Sequence, residues 1–145
     1  MKTIFLTAAA LLGTLSFAAP ISAREVPTPT QQLLETRECY GCDLSNANLK
    51  GAHLIGVDLR NADLTGANLE HANLEGADLT GANLHSADLT EAYANGTTFD
   101  NANLTNADLS DANLYNAQVN NAVMIGTNIS GADGFDLNLG IGGGE

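Results

Sequence analysis

Cys39 and Cys42 are the residues of this chain whose type and spacing most directly suggest chemistry, because they form its single CxxC pair. Such a pair can form a structural disulfide, act as a thiol–disulfide redox couple or supply half of a zinc site. A thioredoxin-like couple needs a βαβ context, which the surrounding sequence does not predict, and zinc needs two more ligands. Residue 43 is Asp rather than His, which excludes a haem-attachment site. In an exported chain, a structural disulfide that pins an N-terminal cap is the favoured interpretation.

Histidines are the other side chains that could serve catalysis or metal binding. His53, His71 and His85 are scattered along the chain and belong to no Ser-His-Asp pattern. The sequence also lacks a phosphate-binding glycine loop and a zinc motif. We therefore predict no catalytic residue, no cofactor and no metal ligand, and we predict that the protein is not an enzyme.

A five-residue repeat forms the elements that must position these side chains. Twenty consecutive units follow one another without insertion or deletion, with central residues from Leu44 to Leu139. Leu occupies fourteen centres, and Ala stands two residues before the centre in fifteen units. Asp or Asn directly precedes the centre in fifteen units, and Gly, Asn or Asp follows it by two residues in sixteen. A period of five fits neither a helix nor a simple strand.

Each unit is interpreted as one straight segment followed by one corner. Ala and Leu at a spacing of two would point inward, with the Asp or Asn between them pointing outward. The Gly or Asn at the corner tolerates positive φ. Two centres break the pattern: Ala94, whose missing volume we expect Phe99 to fill, and Gly134, which has no such neighbour. The last units are the least regular, so we expect the C-terminal end to be the weaker one.

The run of A(D/N)LxG units over residues 42–141 resembles the pentapeptide-repeat family. This resemblance implies an all-β fold, a right-handed quadrilateral parallel β-helix with four units per coil. Five coils would follow, and they would span residues 42–61, 62–81, 82–101, 102–121 and 122–141. At the usual spacing of about 4.8 Å between strands, the rod would be roughly 24 Å long. The stacked Leu and Ala residues of adjacent coils would hold it together.

The N-terminal segment, residues 1–23, is predicted to be a secretory signal peptide. It combines the positive charge of Lys2, a short uncharged apolar run and small residues before Arg24. The run is shorter than the roughly 20 apolar residues that span a bilayer. After cleavage, four basic side chains would remain against 17 acidic ones, a formal charge of −13. Such a charge argues against binding nucleic acid or anionic lipid and is compatible with a basic protein partner.

The ends of the rod need covering because unpaired strand edges are exposed there. Residues 24–41 are interpreted as a linker and N-terminal cap. Within them, we expect a short helix that starts at an N-cap Thr30 and turns Leu33 and Leu34 inward. Residues 142–145 are expected to be a flexible tail. Some members of the family pair end to end through the C-terminal coil, which implies that a C-terminal homodimer is an option here.

The second side of the coil, whose straight segments are centred on Leu49, Leu69, Leu89, Leu109 and Ile129, is predicted to be acidic. It carries a single basic residue, Lys50, against five acidic ones: Glu70, Asp88, Glu91, Asp108 and Asp111. Asp88 would stack on Asp108, and Glu91 on Asp111, at about 4.8 Å. We interpret these residues as a solvated acidic wall. The alternatives are a docking surface for a basic partner and a weak Ca²⁺ site, although no dedicated loop supplies the six or more oxygens that Ca²⁺ needs.

The third side, centred on Leu54, Leu74, Ala94, Leu114 and Gly134, is predicted to carry an interaction patch. Stacking brings together its aromatic residues Tyr93, Tyr115 and Phe135, and His53 and Ile55 lie towards the other end. Exposed aromatic residues in one patch are typical of protein interfaces. The alternative is that Tyr93 merely leans over the gap left at Ala94.

The favoured function is that of an exported, non-enzymatic scaffold for structure or protein–protein interaction. The start CYGCDLSNANL, together with the signal peptide, resembles exported bacterial members of the family, particularly cyanobacterial ones. This resemblance implies the periplasm or the thylakoid lumen, with secretion as the alternative. A second hypothesis from the resemblance is a DNA mimic that inhibits a type II topoisomerase, which export disfavours because that target is cytoplasmic. A third is weak divalent-cation binding by the acidic side.

Overall fold

A computed structural model of the chain describes residues 28–134. The predicted signal peptide, residues 24–27 of the linker, the last repeat unit and the tail lie outside this range. Within it, one helix, α1 (Pro29–Thr36), precedes a ladder of isolated parallel β-bridges, and these residues form no longer strand. No helix among the described residues is long and apolar enough to cross a membrane.

The ladder shows that the coil has four sides. Every bridge joins a residue to the one twenty positions later, from the first, Glu38 with Asp58, to the last, Asn113 with Asp133. Successive bridges start five residues apart, so four units make up one coil and the fifth unit stacks on the first. Four units per coil are therefore confirmed. The count of five coils stays a prediction, because the coil 122–141 is described only as far as residue 134.

Main-chain hydrogen bonds tie each straight segment to the coils on both sides. The amide of Leu79 donates to the carbonyl of Thr98 in the following coil at 2.8 Å. The amide of Asp78 donates to the carbonyl of Val57 in the preceding coil at 3.0 Å. The same pattern repeats along the rod, so these segments are held by main-chain bonds although residues 28–134 form no continuous strand.

The corners are tight turns that need a residue with positive φ. The amide of Ala82 donates to the carbonyl of Leu79 three residues earlier, at 2.9 Å, and the corner residue Gly81 has a φ of 69°. This is the pattern of a type II turn. A side chain at Gly81 would also collide with the coil below, because an added Cβ would lie 2.5 Å from Oδ1 of Asn61. At this corner, therefore, the side chain of Asn61 in one coil occupies the space next to Gly81 in the following coil.

The core is a continuous stack of inward side chains. Every central residue from Leu44 to Leu114 has at most 2% of its surface exposed, and this includes Ala94 and Phe99. The predicted inward orientation of the central residues is therefore confirmed over these coils. From the end of the fourth coil onwards the central residues are only partly buried: Val119, Met124 and Ile129. This loss of burial agrees with the expectation of a weaker C-terminal end.

Two inward positions carry Thr in place of Ala, and both hydroxyl groups have a partner. Thr97 is fully buried, and its Oγ1 donates to the carbonyl of Leu74 in the coil below at 2.7 Å. Thr127 makes the same bond to the carbonyl of Leu104, also at 2.7 Å. The narrow interior therefore accepts a hydroxyl where a carbonyl of the preceding coil is within reach.

The N-terminal helix differs from its prediction in two respects. It starts at an N-cap Thr28 rather than Thr30, because Thr28 and Gln31 form a reciprocal capping box with bonds of 3.2 and 2.9 Å. Leu33 joins the buried core as expected, but Leu34 is 53% exposed, so its predicted inward orientation was wrong. A helix of eight residues turns only one narrow face towards the rod, and the adjacent residue points away.

The repeat ladder also begins before the predicted boundary at residue 42. Glu38 already bridges to Asp58, and the amide of Gly41 donates to the carbonyl of Arg60 at 2.9 Å. Cys39 takes the buried central position, and Gly41 takes the corner with a φ of 64°. Residues 37–41 thus form an additional unit, which the sequence hides because Cys stands where Leu is usual.

Candidate functional site

The outward Asp and Asn residues stabilise the rod locally. In most units the side-chain oxygen of this residue accepts a hydrogen bond from the amide two residues later, as Asp63 does from Thr65 at 3.0 Å. Asn68 accepts in the same way from Glu70 at 3.0 Å. These bonds satisfy an amide at the start of the turn, for which the described part of the chain offers no main-chain acceptor. Much of the acidic character of the surface therefore has a structural role, which either Asp or Asn can fill.

On the predicted acidic side, most of the charged residues have partners. Nζ of Lys50 lies 2.6 Å from Oε2 of Glu70. The ring of His71 lies between two carboxylates, 3.4 Å from Glu70 and 3.5 Å from Glu91. No group of three or more His, Cys, Asp or Glu side chains within residues 28–134 has a geometry that could hold a metal ion.

Asp88 and Asp108 are direct neighbours in the ladder, as predicted from their spacing. Asp88 accepts from the amide of Thr90 at 3.0 Å. Asp108 accepts from both the hydroxyl and the amide of Ser110, at 2.6 and 2.9 Å, and from the side-chain amide of Asn128 at 3.0 Å. The hydroxyl of Ser110, and then its amide, hold the pKa of the Asp108 carboxyl below its usual value. These donors favour the ionised form of the Asp108 carboxyl.

The two cysteines lie where the N-terminal unit meets the first coil. Their sulfur atoms are 2.07 Å apart, and the structure joins them as a disulfide. Cys39 is fully buried at a central position, and Cys42 is partly buried at the inward position of the next unit. The pair replaces one Leu and one Ala of the repeat, so it fills core volume as well as linking the two units.

The contacts of Arg60 were not predicted from the sequence. This residue lies on the fourth side, which is centred on Leu59, Leu79 and Phe99. Arg60 donates to both carboxylate oxygens of Asp58, at 2.9 and 2.7 Å, and lies 3.8 Å from Asp78. Its guanidinium carbon is 5.6 Å from the ring centre of Tyr40. Bonding to Asp58 raises the pKa of Arg60, so its charge is permanent. The spacing of twenty residues between Tyr40 and Arg60 could have predicted that they are neighbours. That inference requires a ladder that begins at Glu38, which the sequence did not indicate.

The aromatic patch on the third side is exposed where it is described. Tyr93 is 53% exposed and Tyr115 is 54% exposed, while Ile55 further along the same side is 44% exposed. Phe135, the third predicted member, lies outside the described residues. Because Ala94 is fully buried and most of Tyr93 faces solvent, Tyr93 does not fill a gap in the core.

Asn95 lies between the two tyrosines and was not singled out in the sequence. It follows Tyr93 by two residues and is the second residue of the turn that the amide of Thr97 closes on the carbonyl of Ala94. The amide of Gly96 donates to the carbonyl of Tyr115 at 2.8 Å, which places Tyr115 over Asn95 in the next coil. Within residues 28–134, Oδ1 of Asn95 is the one buried side-chain polar atom without a hydrogen-bond partner. No local sequence signal marks such an atom.

Comparison with known proteins agrees with this architecture. A family model described as pentapeptide repeats matches residues 42–81, 82–118 and 102–133 with eight copies. HetL, a pentapeptide repeat protein involved in heterocyst differentiation regulation from the cyanobacterium Nostoc sp. strain PCC 7120, is 34% identical, with a TM-score of 0.56. The match covers 68% of this chain and 50% of HetL, so the matched region spans half the length of that protein.

Two further solved structures show weaker overall superposition. A pentapeptide repeat protein from the Arabidopsis thaliana thylakoid lumen is 38% identical over 68% of this chain and 69% of its own, with a TM-score of 0.46. QnrB1, a plasmid-mediated fluoroquinolone resistance protein, is 22% identical over 71% of this chain and 66% of its own, with a TM-score of 0.32. No protein of curated function matches the chain.

The family model accounts for the repeat from residue 42 to residue 133, which is more than half of the chain. The twenty-residue ladder and the Leu and Ala core are the structural counterpart of that match. Together they imply the right-handed quadrilateral β-helix expected from the sequence. This chain belongs to the pentapeptide-repeat family.

Proposed function

We propose that this protein is an exported, non-enzymatic scaffold that binds a protein partner through the aromatic patch of its third side. The observation that carries the proposal is the exposure of Tyr93 and Tyr115, each more than half accessible on adjacent coils. Aromatic side chains that stay exposed on this wall, whose other outward residues include Ile55, Asn73 and Glu75, offer binding area without a role in the core.

Binding suits this architecture better than catalysis. The side chains that could act as acids, bases or nucleophiles are spread over four outward walls, and the described cysteines are joined in a disulfide. On the acidic side the carboxylates of Asp88, Asp108 and Glu70 are engaged by a turn amide, a hydroxyl group and a neighbouring cation, respectively. A straight wall of this kind presents recognition groups at regular intervals of about 4.8 Å along its axis.

Export is the second part of the proposal. The signal-peptide pattern of residues 1–23 supports it, and so does a disulfide, which persists in oxidising compartments. We propose the periplasm or the thylakoid lumen as the destination. Export disfavours the topoisomerase-inhibiting alternative, whose target would be in another compartment. N-terminal sequencing of the native protein tests this step, with a start near Arg24 as the expected result and an uncleaved cytoplasmic protein as the contrary one.

We also propose a complete rod of five coils, 42–141, that pairs end to end through its C-terminal coil. The partial burial of Met124 and Ile129 in that coil supports this pairing, because a second copy could cover these side chains. Sedimentation over a range of concentrations should show a dimer. A monomeric mass at the highest concentration would exclude the pairing.

Affinity capture from the native compartment tests the partner-binding role. The wild-type protein should retain a partner that the double variant Tyr93→Ser/Tyr115→Ser loses. Ile125→Ser is the matched control, because Ile125 is 71% exposed on another side of the coil. Both variants should keep the wild-type thermal transition, since neither replaces a core residue. If the double variant captures the same partner as the wild type, the patch is not the binding site.

A further inference from the structure

Asn95 and Gly96 form the single Asn-Gly pair of the chain. Asparagine is one of the thermally labile residues of proteins, and a following glycine favours its breakdown because no Cβ hinders attack by the next main-chain nitrogen. In this reaction the nitrogen of Gly96 forms a bond to Cγ of Asn95, its proton passes to a solvent base, and the side-chain amide leaves as ammonia. Water then opens the succinimide ring to aspartate or isoaspartate.

The stacked coils hold the atoms that would react. The amide of Gly96 donates to the carbonyl of Tyr115 in the following coil at 2.8 Å, so the attacking nitrogen is engaged in the ladder. The carbonyl of Asn95 accepts from the amide of Gly76 in the preceding coil at 2.9 Å. Oδ1 of Asn95 is buried, so water does not reach this atom. The reaction therefore requires that the unit containing Tyr115 first moves away.

This covering unit lies near the weaker end of the rod. Each coil of a solenoid contacts only its neighbours, so an end can open while the other coils stay folded. The amide of Leu114 donates to the carbonyl of Asp133 at 2.7 Å, which ties the covering unit to the last described coil. Among the described residues, the central ones from Val119 onwards are only partly buried, so less apolar surface opposes opening here. We propose that Asn95 is a deamidation site that reacts when the C-terminal coils open.

Conversion should weaken the closed stack. It places a carboxylate where Oδ1 has no donor among the described residues, and an unpaired buried charge costs more than an unpaired amide. Isoaspartate also adds a carbon atom to the main chain, so the unit no longer has the length that pairs it with Gly76 and Tyr115. The site would thus mark molecules whose C-terminal end has opened, and this role does not depend on partner binding.

The test incubates the purified full-length protein in mildly alkaline buffer and follows position 95 by peptide mapping and mass spectrometry. The reference is the peptide acetyl-Tyr-Ala-Asn-Gly-Thr-Thr-amide, which has the sequence of residues 93–98 without the stacked coils. We expect Asn95 to convert before the other asparagines of residues 28–134. Its rate should be at least about tenfold below that of the peptide, because only the open fraction of the protein reacts.

Variants separate local opening from unfolding of the whole chain. Leu114→Ala truncates a core side chain of the covering unit, and it should accelerate conversion about tenfold. Leu54→Ala is the matched control, because Leu54 is equally buried on the same side but lies in the first coil. It should accelerate conversion much less. Gly96→Asn should slow conversion, since its Cβ hinders the attack, and Asn116 has the required positive φ of 58° at the same corner of the next coil.

The inference fails on any of three results: equal rates in the protein and the peptide, equal acceleration by Leu114→Ala and Leu54→Ala, or an unslowed rate in Gly96→Asn. Far-UV circular dichroism before incubation confirms the fold of each variant. If a core variant does not fold, hydrogen exchange of the wild-type protein decides. The amide of Gly96 should exchange faster than that of Gly76, which makes the equivalent bond one coil earlier, and slower or equal exchange would contradict the proposed opening.

Discussion

Replacing Leu79 with Ala should be among the most damaging single changes in the core. Leu79 is fully buried in the middle of the fourth side, between Leu59 and Phe99 in the adjacent coils. The change removes three carbon atoms, about 2.4 kcal/mol of transfer free energy at about 0.8 kcal/mol each. The cavity adds to this loss, because main-chain bonds of 2.8 and 3.0 Å to the coils above and below keep the walls from collapsing. The total expected loss of unfolding free energy is therefore about 3–5 kcal/mol.

Urea unfolding followed by far-UV circular dichroism measures this loss. Ile129→Ala is the matched control in the last described coil, where the side chain is only partly buried. Its expected cost is about half as large, because less apolar surface returns to water. A loss below about 1 kcal/mol for Leu79→Ala, or equal losses for the two variants, would refute the idea that rigid stacking of the inner coils dominates stability.

Three further predictions address polar features of the rod. Thr97→Val removes the buried hydroxyl that donates at 2.7 Å to the coil below, and it should cost about 1 kcal/mol in urea unfolding, since the carbonyl keeps a second donor. The pKa of Asp108 is lowered, so this carboxylate stabilises the fold above about pH 4 and that contribution is lost as the pH falls below its usual value of 3.8. Asp108→Asn should therefore lose less stability between pH 6 and pH 3 than the wild type does, and an equal loss would contradict this role. Cys39→Leu/Cys42→Ala restores the residue types of the repeat, so it should unfold at a higher urea concentration than Cys39→Ser/Cys42→Ser, which buries hydroxyl groups in the same places.

The core was predictable because one unit repeats without interruption. With a period of five and a single residue type at most centres, only one register places Leu inward and Gly or Asn at positive φ. Burial from Leu44 to Leu114 follows that register, including the exceptional pair Ala94 and Phe99. The N-terminal boundary was harder, because Cys39 replaces the Leu that marks a centre. The orientation of Leu34 depends on how α1 packs against the first coil, which no local sequence pattern predicts.

The outer walls were predictable in composition but not in their contacts. The spacing of twenty residues correctly placed Asp88 beside Asp108. It did not reveal that Arg60 bonds to Asp58 and packs near Tyr40, because these contacts depend on rotamers and on a coil that the sequence hid. The exposure of the tyrosines was expected from the alternation of inward and outward positions. The unpaired Oδ1 of Asn95 between them was not.

The amino-acid sequence alone determined the solenoid: its repeat, its register, its corners and the identity of its core residues. These are local properties, since each unit of five residues adopts the same straight segment and turn and then stacks on its own copies. The tertiary structure decided which outward side chains find partners. Asn95 and Asn120 occupy the same position of their units. Nδ2 of Asn120 donates a hydrogen bond to Asp100, whereas Oδ1 of Asn95 has no partner among the described residues. The difference arises from the neighbours twenty residues away and from the rotamers that direct each polar atom towards them or away from them.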